Sequence, residues 1–285
     1  MYSYFNGKYI DSQKMCLPLL DDIIGTVRGY RIFTACRTIK GKVFHLNDHI
    51  RRLSSSAREI RMSLPCTLKE LREIIQETIE RNKKFSGDLL LEIIFSGGPA
   101  SSNGVAPAGQ TALYILTLPF KSPPDWWYEK GISLATYPYQ RQWPKVKLLN
   151  YVGAVIAHQT VVKRYRAQEA LFVSPKDNQT ILEGTTFNFF VVKNNKIMTP
   201  ALDGNILAGI TRGVVIKLAK KEGLGVAEQK IRIKDLEIAD EAFLTSSTRN
   251  ATPVVRVNNT KIGSGRPGKI TLQFKKLFEE YLEKY

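Results

Sequence analysis

Apolar and polar residues follow two rhythms along this chain, one of period two and one of helical spacing, and they alternate from segment to segment. The opening YSYFNGKYI has period two on either side of Asn6-Gly7, a pair suited to a tight turn, and predicts a β-hairpin. RGYRIFTACR, rich in β-branched and aromatic residues, predicts a strand that ends at the turn Lys40-Gly41. Ile50, Leu53, Ala57 and Ile60 then recur at helical spacing, with Asn47 read as the N-cap. Leu68, Leu71, Ile74, Ile75 and Ile79 form a second helical stripe. LLLEIIF is a continuous apolar run suited to a buried strand, and QTALYILTL is another strand.

The segment PFKSPPDWWYEKG holds three of the thirteen prolines and interrupts both rhythms, so a linker is expected over 119–131. Beyond it, ISLATYPY and EALFVS read as strands flanking a helix. That helix is expected to carry Val152, Val155, Ile156 and Val162 on its inner side, with Asn150 as its cap. FNFFVV, KIMTP, QKIRI, EAFLTSS and PVVRVNN continue a β-rich pattern. A helix near 209–221 presents Ile210, Val214 and Leu218, and a terminal one presents Phe274, Leu277, Phe278, Tyr281 and Leu282. The expected architecture is α/β (α+β): a smaller N-terminal α/β domain over 1–118, the linker, and a larger β-rich domain over 132–285.

Composition narrows the class. At 285 residues, 43% hydrophobic, the chain is long enough for two domains, and no apolar run approaches the roughly 18 residues of a membrane span. The start MYSYFNGKYIDSQKM lacks the basic and apolar stretches of a secretory signal, so a cytoplasmic location is expected. Cys16, Cys36 and Cys66 are odd in number and have no CxxC spacing, so neither a disulfide framework nor a zinc site is expected, only buried or half-buried thiols. The net charge of +16 suits nucleic acid, an anionic surface or a small anionic substrate. Lys and Arg are spread over helix faces such as KRYRAQE and turns such as KNNK, which disfavours a non-catalytic nucleic-acid binder.

The chemistry available is limited. His45, His49 and His158 form neither HExxH nor a Cys/His cluster, so no metal site is expected. There is no GxSxG elbow and no GxxxxGK[ST] loop, and GSGRPG reads as a turn. What remains is an ordered set: DHIRRL, KLLNY, LEGTTFNFF, GITRG and TSSTRNATPV. In this order and at these separations the set resembles the class IV (fold type IV) pyridoxal-phosphate enzymes, which include branched-chain aminotransferases, D-amino-acid aminotransferases and aminodeoxychorismate lyases. The resemblance covers nearly the whole chain.

Each element has a physical reading beside the one the resemblance implies. A lysine in PKVKLLNY that is desolvated or near another cation would attack an aldehyde. Side-chain direction leaves Lys145 and Lys147 open, and the resemblance implies Lys147, three residues before Asn150, as the Schiff-base lysine of pyridoxal 5'-phosphate. Tyr151 matches a tyrosine on the cofactor's phenolic oxygen. Glu183 is a carboxylate with no packing reason to precede an apolar strand, and the resemblance pairs it with the pyridinium nitrogen. GITR opens a helix, so Ile210 and Thr211 make a natural phosphate seat. Ser246 and Ser247 are implied to complete it, and Arg52, rather than its neighbour Arg51, to reach the phosphate. Phe33, Arg37 and Thr248 are the implied substrate-binding residues, and Asn188 a structural one.

The activity implied is transamination between an amino acid, possibly branched-chain, and a 2-oxo acid, by a homodimer. Thr34 in FTACR instead favours the lyases, which have FTTAR, although Ala35 departs from that motif. The loop SGGPASSNGVAP lacks the arginine and histidine of the D-amino-acid enzymes. Asn250 stands where many family members have glutamate.

Overall fold

Asn6 and Gly7, at φ of 38° and 88°, form the tight turn between β1 (Tyr2–Phe5) and β2 (Lys8–Asp11). Such a turn needs two positive φ values, which Asn and Gly tolerate best. The computed structural model describes residues 1–285, and its contacts divide it into two compact units: Met1–Lys121 with Val146–Asn150, and Ser122–Lys145 with Tyr151–Tyr285.

In the first unit, β3 (Arg31–Ile39), β4 (Lys42–Val43), β5 (Leu89–Ser96) and β6 (Ala112–Pro119) join the hairpin in a six-stranded sheet of order β2-β1-β6-β5-β3-β4. All its pairs are antiparallel. A single turn, α1 (Ile23–Thr26), precedes β3. The helices α2 (Leu46–Glu59) and α3 (Leu68–Arg81) bury Ile50, Leu53, Ala57, Leu71 and Ile75 in one core with Ile32, Cys36, Leu91 and Ile93 of the sheet. The helix α3 is capped by Thr67, whose Oγ1 accepts from Glu70 N at 3.2 Å while the Glu70 carboxylate accepts from Thr67 N at 2.7 Å. Asn47 is not the cap of α2. His45 holds that position at φ 52°, with Nδ1 2.6 Å from Asp48 Oδ2, and Asn47 Oδ1 instead accepts from Arg72 Nη2 at 2.9 Å.

Residues 146–150 lie along β3. Phe33 N donates to Lys147 O, and Leu149 N to Arg31 O, each at 3.0 Å. Val146 is buried in the core of this unit, which fixes the register of the segment.

The second unit is built on a ten-stranded sheet. Its strands are β7 (Ile132–Pro138), β8 (Glu169–Val173), β9 (Thr180–Gly184), β10 (Asn188–Lys193), β11 (Lys196–Thr199), β12 (Val226–Glu228), β13 (Ile231–Arg232), β14 (Glu241–Ser246), β15 (Asn250–Val257) and β16 (Thr260–Lys261). The order is β12-β11-β10-β14-β15-β7-β8-β9-β13, with β16 on β15. Of QKIRI, read as a strand, only Ile231 and Arg232 are extended and pair with β9; β12 lies just before it and runs parallel to β11, and Ile233 already begins a 3-10 turn. The turn α4 (Trp126–Glu129) precedes β7. The crossover from β7 to its parallel neighbour β8 contains α5 (Val152–Ala157), a π-helical turn over His158–Val162 and α6 (Lys163–Tyr165). The helix α7 (Ile210–Lys221) connects β11 to β12, and α8 (Lys269–Glu283) stacks Phe274 on Phe243 of β14 at 5.8 Å.

One face of α5 is reversed from expectation. Val152, Val155 and Ile156 are 64%, 53% and 43% exposed, and the buried residues are Gly153, Ala154 and Ala157. A Cβ on Gly153 would stand 2.4 Å from the Tyr139 ring, so only the small side of the helix fits there and the β-branched side is left outward. Tyr151, not Asn150, occupies the N-cap position. Cys36 is buried and burial pushes its thiol up to about 12; Cys66 is half-buried, whereas Cys16 is exposed against expectation. No helix is long and apolar enough to cross a membrane.

Candidate active site

The two neighbouring lysines of PKVKLLNY have different surroundings. Lys145 belongs to the second unit and is exposed; Lys147 belongs to the first and is half-buried. With Val146 turned into the core, the alternation of an extended segment turns Lys147 the other way, and its Nζ lies 4.4 Å from the centre of the Phe33 ring. Backbone pairing with β3 therefore sets where this amine stands. Phe33 and Arg37 share one face of β3 and Thr34 points from the other. Arg37 is buried, with its guanidinium 4.8 Å from the Phe120 ring.

Thr34 organises the positive groups on α2. Arg52 Nη2 donates to Thr34 Oγ1 at 2.9 Å, and the same hydroxyl is hydrogen-bonded to His49 Nδ1 at 2.7 Å. The burial of His49, followed by the charges of Arg52, His45 and Lys147, holds its imidazole well below the ordinary value, so it is neutral. Arg51 is exposed and is bound to Asp48 of its own helix, so the two adjacent arginines have different environments. Glu92 on β5 is raised by burial, partly offset by the charge of Lys147.

In the second unit, Glu183 ends β9 as a buried carboxylate. Its Oε1 accepts from Arg141 Nε at 3.0 Å and Nη2 at 2.5 Å, and its Oε2 accepts from Leu207 N at 3.2 Å. Burial opposes the Arg141 charge, but the Glu183 carboxylate outweighs it, helped by Tyr151 and Tyr139, so the guanidinium stays charged. Two of the expected residues, Tyr151 and Glu183, thus meet around Arg141. Sequence reading missed Arg141, because one arginine among 42 basic residues has no distinguishing spacing.

The helix α7 begins at Ile210 with Gly209 as N-cap and no side-chain cap, so its first N–H groups are available to an anion. A Cβ on Gly209 would stand 1.9 Å from Asn188 Oδ1, so this position requires glycine. Asn188 also donates to Leu207 O at 2.9 Å and pairs with Thr245 in the sheet. One side chain thereby locks the start of α7 beside the end of β14, which Ser246 closes and Ser247 follows. Thr211 is buried, and its Oγ1 has no protein partner. A buried hydroxyl at a helix N-terminus without an acceptor is what a bound phosphate would satisfy. Thr248 lies in the same loop, its Oγ1 3.4 Å from Ser246 Oγ.

These donors fit pyridoxal phosphate. Within the second unit, the uncapped helix start and Thr211 suit a phosphate and the acceptor-only Glu183 a protonated ring nitrogen; within the first, the Lys147 amine suits an aldehyde. Arg52, Lys147, Phe33 and Arg37 belong to the first unit, and Tyr151, Glu183, Ile210, Thr211, Ser246, Ser247 and Thr248 to the second.

Comparison with known proteins gives the same class. A family model described as amino-transferase class IV matches residues 31–257. A Methanocaldococcus jannaschii protein provisionally named a branched-chain-amino-acid aminotransferase is 32% identical over 100% of this chain and 98% of its own length. The D-alanine aminotransferase of Staphylococcus haemolyticus is 29% identical over 98% of this chain and 97% of its own. Among solved structures, the branched-chain amino acid aminotransferase of Thermobaculum terrenum in its pyridoxal-phosphate holo-form is similar with a TM-score of 0.86 and 26% identity, covering 99% of this chain and 93% of that one.

Proposed function

The chain belongs to the class IV aminotransferases, enzymes that use pyridoxal phosphate, and from that premise we propose that it transfers the amino group of a branched-chain or similar apolar amino acid to a 2-oxo acid. The full-length likeness to the M. jannaschii protein carries the substrate assignment. The apolar ring of Phe33 beside the Lys147 amine supports it, as does the loop SGGPASSNGVAP, which offers no cation for the carboxylate of a D-amino acid. The relatives compared are aminotransferases, so elimination from aminodeoxychorismate is not favoured.

When bound, the cofactor supplies an electron sink for the pair left at the substrate Cα. In this reading Lys147 would hold the cofactor through its amine and would move the proton at the substrate Cα. Glu183, kept anionic by Arg141, holds the proton on the ring nitrogen. Tyr151 donates to the phenolic oxygen. Ile210 N, Thr211, Ser246, Ser247 and Arg52 hold the phosphate, and Phe33, Arg37 and Thr248 contact the substrate. A cytoplasmic location and a homodimer belong to the same reading. The outward face of Val152, Val155 and Ile156 supports the dimer, because a second copy would remove this apolar surface from water.

The test is an amino-donor panel with 2-oxoglutarate as acceptor, run beside an aminodeoxychorismate lyase assay. L-leucine, L-isoleucine and L-valine are expected to be the best donors. Preference for D-alanine, or release of pyruvate from aminodeoxychorismate, would replace the branched-chain assignment.

A further inference from the structure

Glu169, the first residue of β8, is buried, and its carboxylate receives donors from three other elements of the second unit. Thr185 Oγ1, two residues after Glu183, donates to Oε2 at 2.6 Å. His158 Nε2, in the π-helical turn after α5, stands 3.1 Å from the same oxygen. Arg249 Nη2, in the loop between β14 and β15, donates to Oε1 at 2.5 Å. Each of these elements carries part of the candidate site. Tyr151 opens the helix that leads to His158, Glu183 lies just before Thr185, and Ser246 to Thr248 precede Arg249.

The Arg249 end of this network is held on several sides. Its backbone carbonyl accepts from Tyr128 Oη at 3.2 Å and Thr252 Oγ1 at 2.9 Å, and its guanidinium lies 5.7 Å from the Trp127 ring. Its N–H donates to Ser246 O at 3.3 Å, which closes a turn, and Ser246 then pairs with Asn250. Asn250 has φ 53°, the left-handed conformation that ends a three-residue hairpin loop and that asparagine tolerates better than most residues. Ser247, Thr248 and Arg249 are therefore the loop itself, and Arg249 is its only long anchor into the protein interior.

We propose that Glu169 and Arg249 form a positioning pair that sets the Ser246–Ser247 side of the phosphate seat, acting through the loop rather than on the cofactor. Small hydroxyl side chains on a short loop would otherwise lose conformational freedom at the moment of binding, which weakens affinity. A charge-assisted bond at the loop's far corner removes that freedom beforehand. Burial pushes the Glu169 carboxyl up, but the donors from His158, Arg249 and Thr185 outweigh it and hold it below its ordinary value, so the pair is ionic.

The proposal rests on the reading that Thr211, Ser246 and Ser247 hold the phosphate, and the experiment separates the two. Full-length wild type, Arg249→Met, Arg249→Lys, Glu169→Gln and Thr211→Ala are stripped of cofactor and titrated with pyridoxal phosphate and, separately, with pyridoxal, which lacks the phosphate. Arg249→Met and Glu169→Gln are expected to weaken pyridoxal phosphate by about tenfold or more, the loss of one charge-assisted hydrogen bond, while pyridoxal changes by less than about twofold. Arg249→Lys is expected to recover part of the loss. Equal weakening of both aldehydes would mean general structural support and overturns the proposal, as does unchanged affinity in both pair variants. If Arg249→Met does not fold, Glu169→Gln gives the same readout with its shape conserved. Selective weakening in Thr211→Ala but not in the pair variants refutes the pair alone; no effect in Thr211→Ala refutes the phosphate seat itself, and the pair with it.

Discussion

Lys145 and Lys147 differ by what happens to the residue between them. Val146 is buried in the core of the first unit, so Lys147 is turned toward Phe33 while Lys145 remains in solvent. Borohydride reduction and peptide mapping are expected to find the pyridoxyl group on Lys147. Lys147→Ala should lower activity by about three orders of magnitude or more, and Lys145→Ala should spare most of it. An adduct on Lys145 would move the register of the whole motif. Glu183 offers a second test at this scale. Glu183→Gln removes the charge that holds the ring proton, so kcat is expected to fall by about a hundredfold while cofactor is still bound. It also leaves Arg141 buried without its counter-charge, which costs about 3 kcal/mol of stability. Wild-type turnover in this variant, measured beside its thermal melt, would mean that the ring nitrogen is contacted by another group.

Among the elements, the crossover from β7 to β8 is the one whose stability should follow pH. The Glu169 hydrogen bond raises His158 above its ordinary value of 6.5, against the opposing effect of burial. A raised imidazole contributes stability fully below 6.5 and loses it as pH rises through the higher folded value. Glu169, lowered from 4.5, contributes above 4.5 and loses that as pH falls through the depressed value. The stability difference between wild type and His158→Gln should therefore be greatest between 4.5 and 6.5 and shrink at higher pH, in thermal melts over that range. A difference that grew with pH would mean His158 is neutral in its pair. At the β14–β15 loop, the φ of 53° at Asn250 supplies a physical reason for asparagine at that position.

At the scale of the whole molecule, the outward face of α5 is the feature that a single chain does not explain. Three β-branched side chains in water, on a helix whose small residues face inward, suit a surface covered by a second copy. Wild type is expected to sediment as a dimer. Val155→Asp should shift it toward the monomer without a large change in the melting temperature of the monomer, because Val155 packs on little within its own chain. A wild type that sediments as a monomer would remove the dimer from the reading.

Local order was legible in the sequence because local forces decide it. The Asn6-Gly7 hairpin, the stripe of Leu71 and Ile75 on α3 and the uncapped start of α7 follow from turn chemistry, periodicity and helix ends, all properties of a few consecutive residues. The resemblance carried by DHIRRL, KLLNY, EGTTFN, GITR and TSSTRN extended that to the family, since the spacing of motifs survives where single residues say little. What only the tertiary structure decided was pairing at a distance. The bond from Arg141 to Glu183, the three donors on Glu169 and the pairing of Thr34 with His49 join residues as far apart as Glu169 and Arg249, and no periodicity links them. The direction of α5 belongs here too. Val152, Val155 and Ile156 have the spacing of a buried stripe, but the Tyr139 ring leaves room only for Gly153 and its small neighbours, so packing volume rather than hydrophobicity chose the inner face.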